Sequence, residues 1–271
     1  MQLSNLGVDC GYIGTSERGR PIPCLHFGKY GGDNQIIIQG AIHAREWPTA
    51  KLVMEQAHRL AKQDITEGGI WLVPMANPDG NLIVEGLEIP KISIGGDHRL
   101  YKANANGVDL NTNFDAQWGQ GASNVFEPHY SDYVGCSPFS ERESQMLRDM
   151  LHRIKPVFTI SYHAKGREVY YLFDQNDDNK QRDKRLAEFV SRYLDYELIE
   201  TVGGAGYPIV SAGGYKDYCI SRLGIPSITI EIIDDRFEHP LTYEALMPDI
   251  ERNIDLPKDV LEYICNPKNT T

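Results

Sequence analysis

Gly40-Ala41-Ile42-His43-Ala44-Arg45-Glu46-Trp47 is the stretch on which the reading of this chain turns. Before it runs Ile36-Ile37-Ile38, an unbroken β-branched run that reads as a buried strand. After it, Thr49 to Lys62 reads as a helix, with Pro48 suited to its first turn. His43 and Glu46 therefore sit where a strand gives way to a helix, the edge at which open α/β sheets bind ligands. An imidazole and a carboxylate three residues apart can converge on one cation. Zinc accepts both, and a catalytic zinc needs a third protein ligand and a free position.

Outward from this stretch, strands and helices alternate. Residues 8–15 and 20–28 read as strands, as do Ile70 to Pro74, Val157 to Tyr162, Glu168 to Phe173 and Ser227 to Glu231. Asn77-Pro78-Asp79-Gly80 reads as a turn. Ser140-Glu141-Arg142-Glu143 reads as a capping box opening a helix to Ile154. Further helices are expected at 180–194, at Tyr215 to Leu223, and from Tyr243 to Tyr263 with a break near Pro248 or Pro257. From 81 to 139 the periodicity fades, and this segment reads as the wall of a cleft. The expected fold is α/β: one domain over 1–271 with a mixed, mostly parallel central sheet flanked by helices.

Composition narrows the function. A net charge of -11 argues against nucleic acid and against anionic membrane surfaces. The five cysteines, Cys10, Cys24, Cys136, Cys219 and Cys265, form no Cys-x-x-Cys and read as buried free thiols. No apolar run approaches a membrane span, and Met1-Gln2-Leu3-Ser4-Asn5 has no signal-peptide character. A cytoplasmic protein is the expectation.

Of the eight histidines, only His43 and His163 lie at the carboxyl end of an expected central strand. His129, in the irregular wall, is the runner-up third ligand. Glu231 closes the strand 227–231, where an unpaired buried carboxylate would be costly. Two histidines and one glutamate can hold zinc, while a second glutamate activates water.

Five segments in order then resemble the zinc carboxypeptidase family of the carboxypeptidase A type: His43-x-x-Glu46, Asn77-Pro78-Asp79-Gly80, Gly107-Val108-Asp109-Leu110-Asn111-Thr112-Asn113-Phe114, Ser161-Tyr162-His163 and Thr229-Ile230-Glu231. The resemblance implies one zinc held by His43, Glu46 and His163, Glu231 as general base, and Asn111 as a contact for the substrate's terminal carboxylate. The family's oxyanion-stabilising arginine is matched by Lys102, with Arg99 a rival. Its carboxylate-clamping arginine is replaced by Thr112, which cannot form a bidentate ion pair. Lys216, in Ser211 to Asp217, aligns with the base of the leaving-residue pocket. Tyr207 lies near the family's mobile tyrosine, with Tyr215 a rival.

Within the family, the 107–115 motif with Trp118-Gly119, Asn124, Tyr133-Val134-Gly135 and Pro138-Phe139-Ser140-Glu141 looks like bacterial γ-D-glutamyl-meso-diaminopimelate peptidases and murein peptide amidases. This implies a small peptide or muropeptide substrate. Three other readings share these residues. They are a cytosolic carboxypeptidase releasing acidic C-terminal residues, a deacylase of N-acyl amino acids, and a non-catalytic relic of the fold.

Overall fold

The computed structural model describes residues 9–92, 96–201 and 212–266. Eight strands form one sheet: β1 (Asp9–Thr15), β2 (Pro21–Gly28), β3 (Gln35–Gln39), β4 (Gly69–Val73), β5 (Phe158–Ala164), β6 (Glu168–Tyr170), β7 (Glu197–Ile199) and β8 (Ser227–Ile232). Their spatial order is β1-β2-β4-β3-β5-β8-β6-β7. The central pairings β4·β3, β3·β5 and β5·β8 are parallel, as is β6·β7 at one edge. The pairings β1·β2, β2·β4 and β6·β8 are antiparallel. The expected mixed, helix-flanked α/β sheet is present.

The helices are α1 (Trp47–Leu60), α2 (Pro78–Val84), α3 (Arg142–Ile154), α4 (Asp177–Leu194), α5 (Tyr215–Leu223), α6 (Tyr243–Asn253) and α7 (Leu256–Cys265). They cover both faces of the sheet. Ile36, Ile38, Ile160 and Ile230 pack with apolar residues of α1, α4, α6 and α7. Ile37 and Val73 face the other way, into a cluster with Leu147, Met150 and Leu151 of α3 and Cys219 of α5. Alternation along β3 thus feeds two cores, which is why its isoleucine run is continuous rather than alternating. No described helix is long and apolar enough to cross a membrane.

Four local readings change. Asn77-Pro78 is not a turn but a helix start: Asn77 caps α2 by accepting from the Gly80 N–H at 2.9 Å, and Pro78 occupies the first turn. The capping box at Ser140 does not form. The cap position is Glu141, which makes no side-chain cap bond. Glu143 instead accepts from the Glu17 N–H at 3.2 Å and from Asn104 at 3.3 Å. Strand β7 has no counterpart in the sequence reading, because three residues are too short for a visible alternation. The cysteines form no disulfide, but only Cys24 and Cys219 are buried, while Cys10 and Cys136 are exposed.

Candidate metal centre

The strand end at Gly40 explains how His43 is aimed. A side chain at Gly40 would approach the Thr49 carbonyl within 3.0 Å, so glycine lets α1 abut the strand. Ala41 takes a left-handed φ of 52°, a conformation uncommon for a residue with a Cβ. It is held there by its N–H donating to Thr49 Oγ1 at 2.7 Å, and Thr49 Oγ1 donates in turn to the Glu46 carbonyl at 2.8 Å. One threonine thereby fixes both ends of the segment that carries His43 and Glu46.

His163 arrives from the neighbouring strand β5, at the parallel sheet's carboxyl edge. The three side chains are buried together. His43 Nδ1 lies 2.8 Å from Glu46 Oε1, His163 Nδ1 lies 3.2 Å from Glu46 Oε2, and the two Nδ1 atoms are 3.1 Å apart. Both remote nitrogens face oxygens outside the cluster. His43 Nε2 is 3.2 Å from Asp109 Oδ1, and His163 Nε2 is 2.9 Å from Ser161 Oγ, to which Gln39 also donates. With Asp109 and Ser161 behind the two rings, both Nδ1 atoms and Glu46 face one spot. Ligand atoms held ~2.0–2.1 Å from a tetrahedral zinc stand roughly 3.3 Å apart, close to the spacing found here. The donor set fits zinc.

Glu231 lies beside this cluster. On β8 it is in register with His163 of β5 and, on its other side, with Glu168 of β6. Burial, reinforced by the Glu46 charge, raises its pKa well above the usual carboxylate range, against the opposing pull of Lys102 and Arg45. Glu46 shows the reverse: burial opposes ionisation, but His43 and His163 hold its pKa well below the usual range. A dication at the cluster would offset the negative charge that lifts Glu231.

A cavity of about 460 Å³ opens over these groups, lined by His43, Lys102, Asn111, Thr112, His163, Lys216 and Glu231 among others. Lys102 Nζ is 2.9 Å from Asp109 Oδ2 and 3.5 Å from Asp132 Oδ1. Burial disfavours its charge, yet Asp109 and Asp132 outweigh that and raise its pKa. Asn111 Oδ1 accepts from the Tyr215 N–H at 3.0 Å, which leaves its amide donors unspent on that bond. Thr112 Oγ1 donates to the Asp109 carbonyl at 2.9 Å. Its hydroxyl is engaged with backbone.

Two expectations are corrected. Arg99 does not line the cavity; it is exposed and grips Asp97 at 2.6 Å. Tyr215 is fully buried in the core against Phe114 and does not line the cavity either. Lys216 is in the cavity but its ammonium is not free: Asp217 Oδ1 is 2.6 Å away and the Leu172 carbonyl 2.8 Å. Tyr207 lies outside the described residues. His129 pairs locally with the Ser131 carbonyl at 2.9 Å and is not part of the metal cluster.

Sequence reasoning left Asp109, Asp132, Asp217 and Tyr170 without roles, although all four line the cavity. Asp109 and Asp217 stood inside quoted motifs. For Asp217, its place directly after the assigned Lys216 was the available signal.

The zinc carboxypeptidase family profile matches residues 7–255. The chain belongs to the zinc carboxypeptidase family. It is 30% identical over 245 residues to gamma-D-glutamyl-L-diamino acid endopeptidase 1 of Lysinibacillus sphaericus, covering 81% of this chain and 59% of that protein. It is 26% identical over 275 residues to carboxypeptidase B of Helicoverpa zea, covering 92% of this chain and 60% of that one. The chain thus spans about 60% of the length of these two relatives. Among solved structures, thrombin activatable fibrinolysis inhibitor superposes with a TM-score of 0.78 at 19% identity, over 97% of this chain and 72% of that one. Murein-tripeptide amidase MpaA from Escherichia coli O157 does so with a TM-score of 0.61 at 23% identity, over 93% and 91%. These two share the zinc carboxypeptidase fold.

Proposed function

We propose that this zinc carboxypeptidase hydrolyses the amide bond between γ-D-glutamate and meso-diaminopimelate in cell-wall muropeptides. The observation that carries this is that no arginine fork for a carboxylate is present among the described cavity residues. Thr112 is bonded to backbone, and no arginine is among the described lining residues. A peptidase that grips a free α-carboxylate by a bidentate pair needs such a fork. The name of the Lysinibacillus relative, a γ-D-glutamyl-L-diamino acid endopeptidase, supports a bond of this kind.

In this reading His43, Glu46 and His163 hold the zinc. The chemistry zinc supplies in such a site is Lewis acidity toward the scissile carbonyl and toward a water molecule. Glu231, beside the cluster on β8, accepts the water's proton on its carboxylate and delivers it to the departing amine. Lys102 supplies a fixed ammonium for the developing oxyanion, held in position by Asp109. Asn111 offers its amide N–H groups to a substrate carboxylate.

The test is hydrolysis of L-Ala-γ-D-Glu-meso-diaminopimelate, followed by mass spectrometry of the released diamino acid. Cleavage should vanish with a chelator and fall about 10²–10⁴-fold in Glu231→Gln, with zinc content unchanged. Cleavage confined to α-linked peptides would remove the γ-glutamyl reading.

A further inference from the structure

Lys216 and Asp217 are adjacent in sequence, both line the cavity, and they pair at 2.6 Å. Each side chain is 11% exposed. The pair is rigidly mounted. Lys216 Nζ also donates to the Leu172 carbonyl and sits 5.5 Å from the centre of the Phe173 ring. Asp217 Oδ2 accepts from the Gly214 N–H at 3.2 Å, in the first turn of α5. The cavity wall therefore carries a fixed dipole, positive at Lys216 and negative at Asp217, with nearly all of both side chains withdrawn from water.

We infer that this ion pair selects a leaving residue whose side chain ends in both an ammonium and a carboxylate. The inference deepens the proposed function and rests on it, with the leaving meso-diaminopimelate lying against this wall of the cavity. A lone substrate carboxylate drawn to Lys216 meets the Asp217 carboxylate beside it. A lone ammonium drawn to Asp217 meets Lys216. In either case one like-charge contact is desolvated along with the favourable one, which is costly in a site of this burial. A zwitterionic end can align antiparallel to the pair, so that each of the four charges faces its opposite. Selection then comes as much from the repulsion of singly charged side chains as from attraction of the right one. The distal end of meso-diaminopimelate has this form. Lysine has the ammonium alone, and glutamate has the carboxylate alone.

The experiment separates the bond from the leaving residue. Six peptides combine a γ-D-glutamyl or an α-L-glutamyl bond with meso-diaminopimelate, lysine or glutamate as the leaving residue, and kcat/KM is measured for each. The expected result is at least about a tenfold preference for meso-diaminopimelate over both others, equivalent to about 1.4 kcal/mol. Amidation of the distal carboxylate should lower diaminopimelate to the level of lysine. Lys216→Met should erase the advantage over lysine while zinc content stays the same, and Asp217→Asn should erase the advantage over glutamate. Asp217 also supports α5, so the amidated substrate on the unaltered protein carries the test if that variant does not fold. Calorimetric binding of the three free amino acids to the zinc-loaded protein reads the same preference without turnover. Equal kcat/KM and equal binding across the leaving residues would overturn the inference, as would a preference that survives Lys216→Met. Cleavage of the α-linked series alone would remove the γ-glutamyl reading, while a retained diaminopimelate preference within that series would leave the zwitterion inference standing.

Discussion

The Nδ1 atoms of His43 and His163 face each other at 3.1 Å inside a buried site, 120 residues apart in sequence. Two imidazole lone pairs so placed repel unless a proton or a cation stands between them. Their Nε2 atoms lie beside Asp109 and Ser161, so the ring orientations are imposed from outside the cluster.

Metal removal should therefore cost stability as well as activity. At zinc about 100-fold above its Kd, loading contributes about 2.7 kcal/mol, and the apo protein should melt about 5–10 °C lower. Differential scanning calorimetry with and without chelator measures this. His163→Ala should abolish zinc retention, whereas His129→Ala should leave it intact. Equal loss in both would mean that the ligand set has been misread.

Replacing Thr112 probes the missing clamp. Thr112 is 2% exposed and lines the cavity. Arginine introduced there should cost about 1–3 kcal/mol through overpacking. It should also raise kcat/KM at least about tenfold for α-linked peptides with a free terminal carboxylate, because it restores a planar fork. Steady-state kinetics on Thr112→Arg checks the second part. No gain would show that the absence of arginine at this position is not what limits such substrates.

Glu143 makes stability depend on pH. It is fully buried at the start of α3, shares a cluster with Glu17 and Glu141, and burial is the main reason its pKa is pushed up to about 7 from 4.5. Between those two values the folded protein holds a proton that the unfolded chain has released. Its contribution to stability is thus greatest at low pH and is lost as pH rises through 7, by about 3 kcal/mol in all. Glu143→Gln should flatten this slope in melting experiments between pH 5 and 8. An unchanged slope would show that Glu143 is ionised throughout.

Much of the fold was legible because its signals are local. The β3 isoleucine run, the Pro48 helix start and the 215–223 helix each rest on a few consecutive residues. Asn77-Pro78 misled because the same dipeptide serves a turn and a helix cap, and only the chain that follows separates them. The box at Ser140 failed for a different reason: Glu143 found partners in Glu17 and Asn104, residues far away in the sequence.

For the site, the sequence by itself determined which groups are available: two histidines and two glutamates at strand and helix edges, a lysine where an arginine was expected, and a threonine without a fork. Tertiary structure decided what each is free to do. It paired Lys102 with Asp109, turned Thr112 toward backbone, spent Arg99 on Asp97, withdrew Tyr215 into the core and set Asp217 against Lys216. The physical reason is that a residue's type follows from the sequence alone, whereas its effective charge and reach depend on burial and on which partners the fold brings within hydrogen-bonding distance.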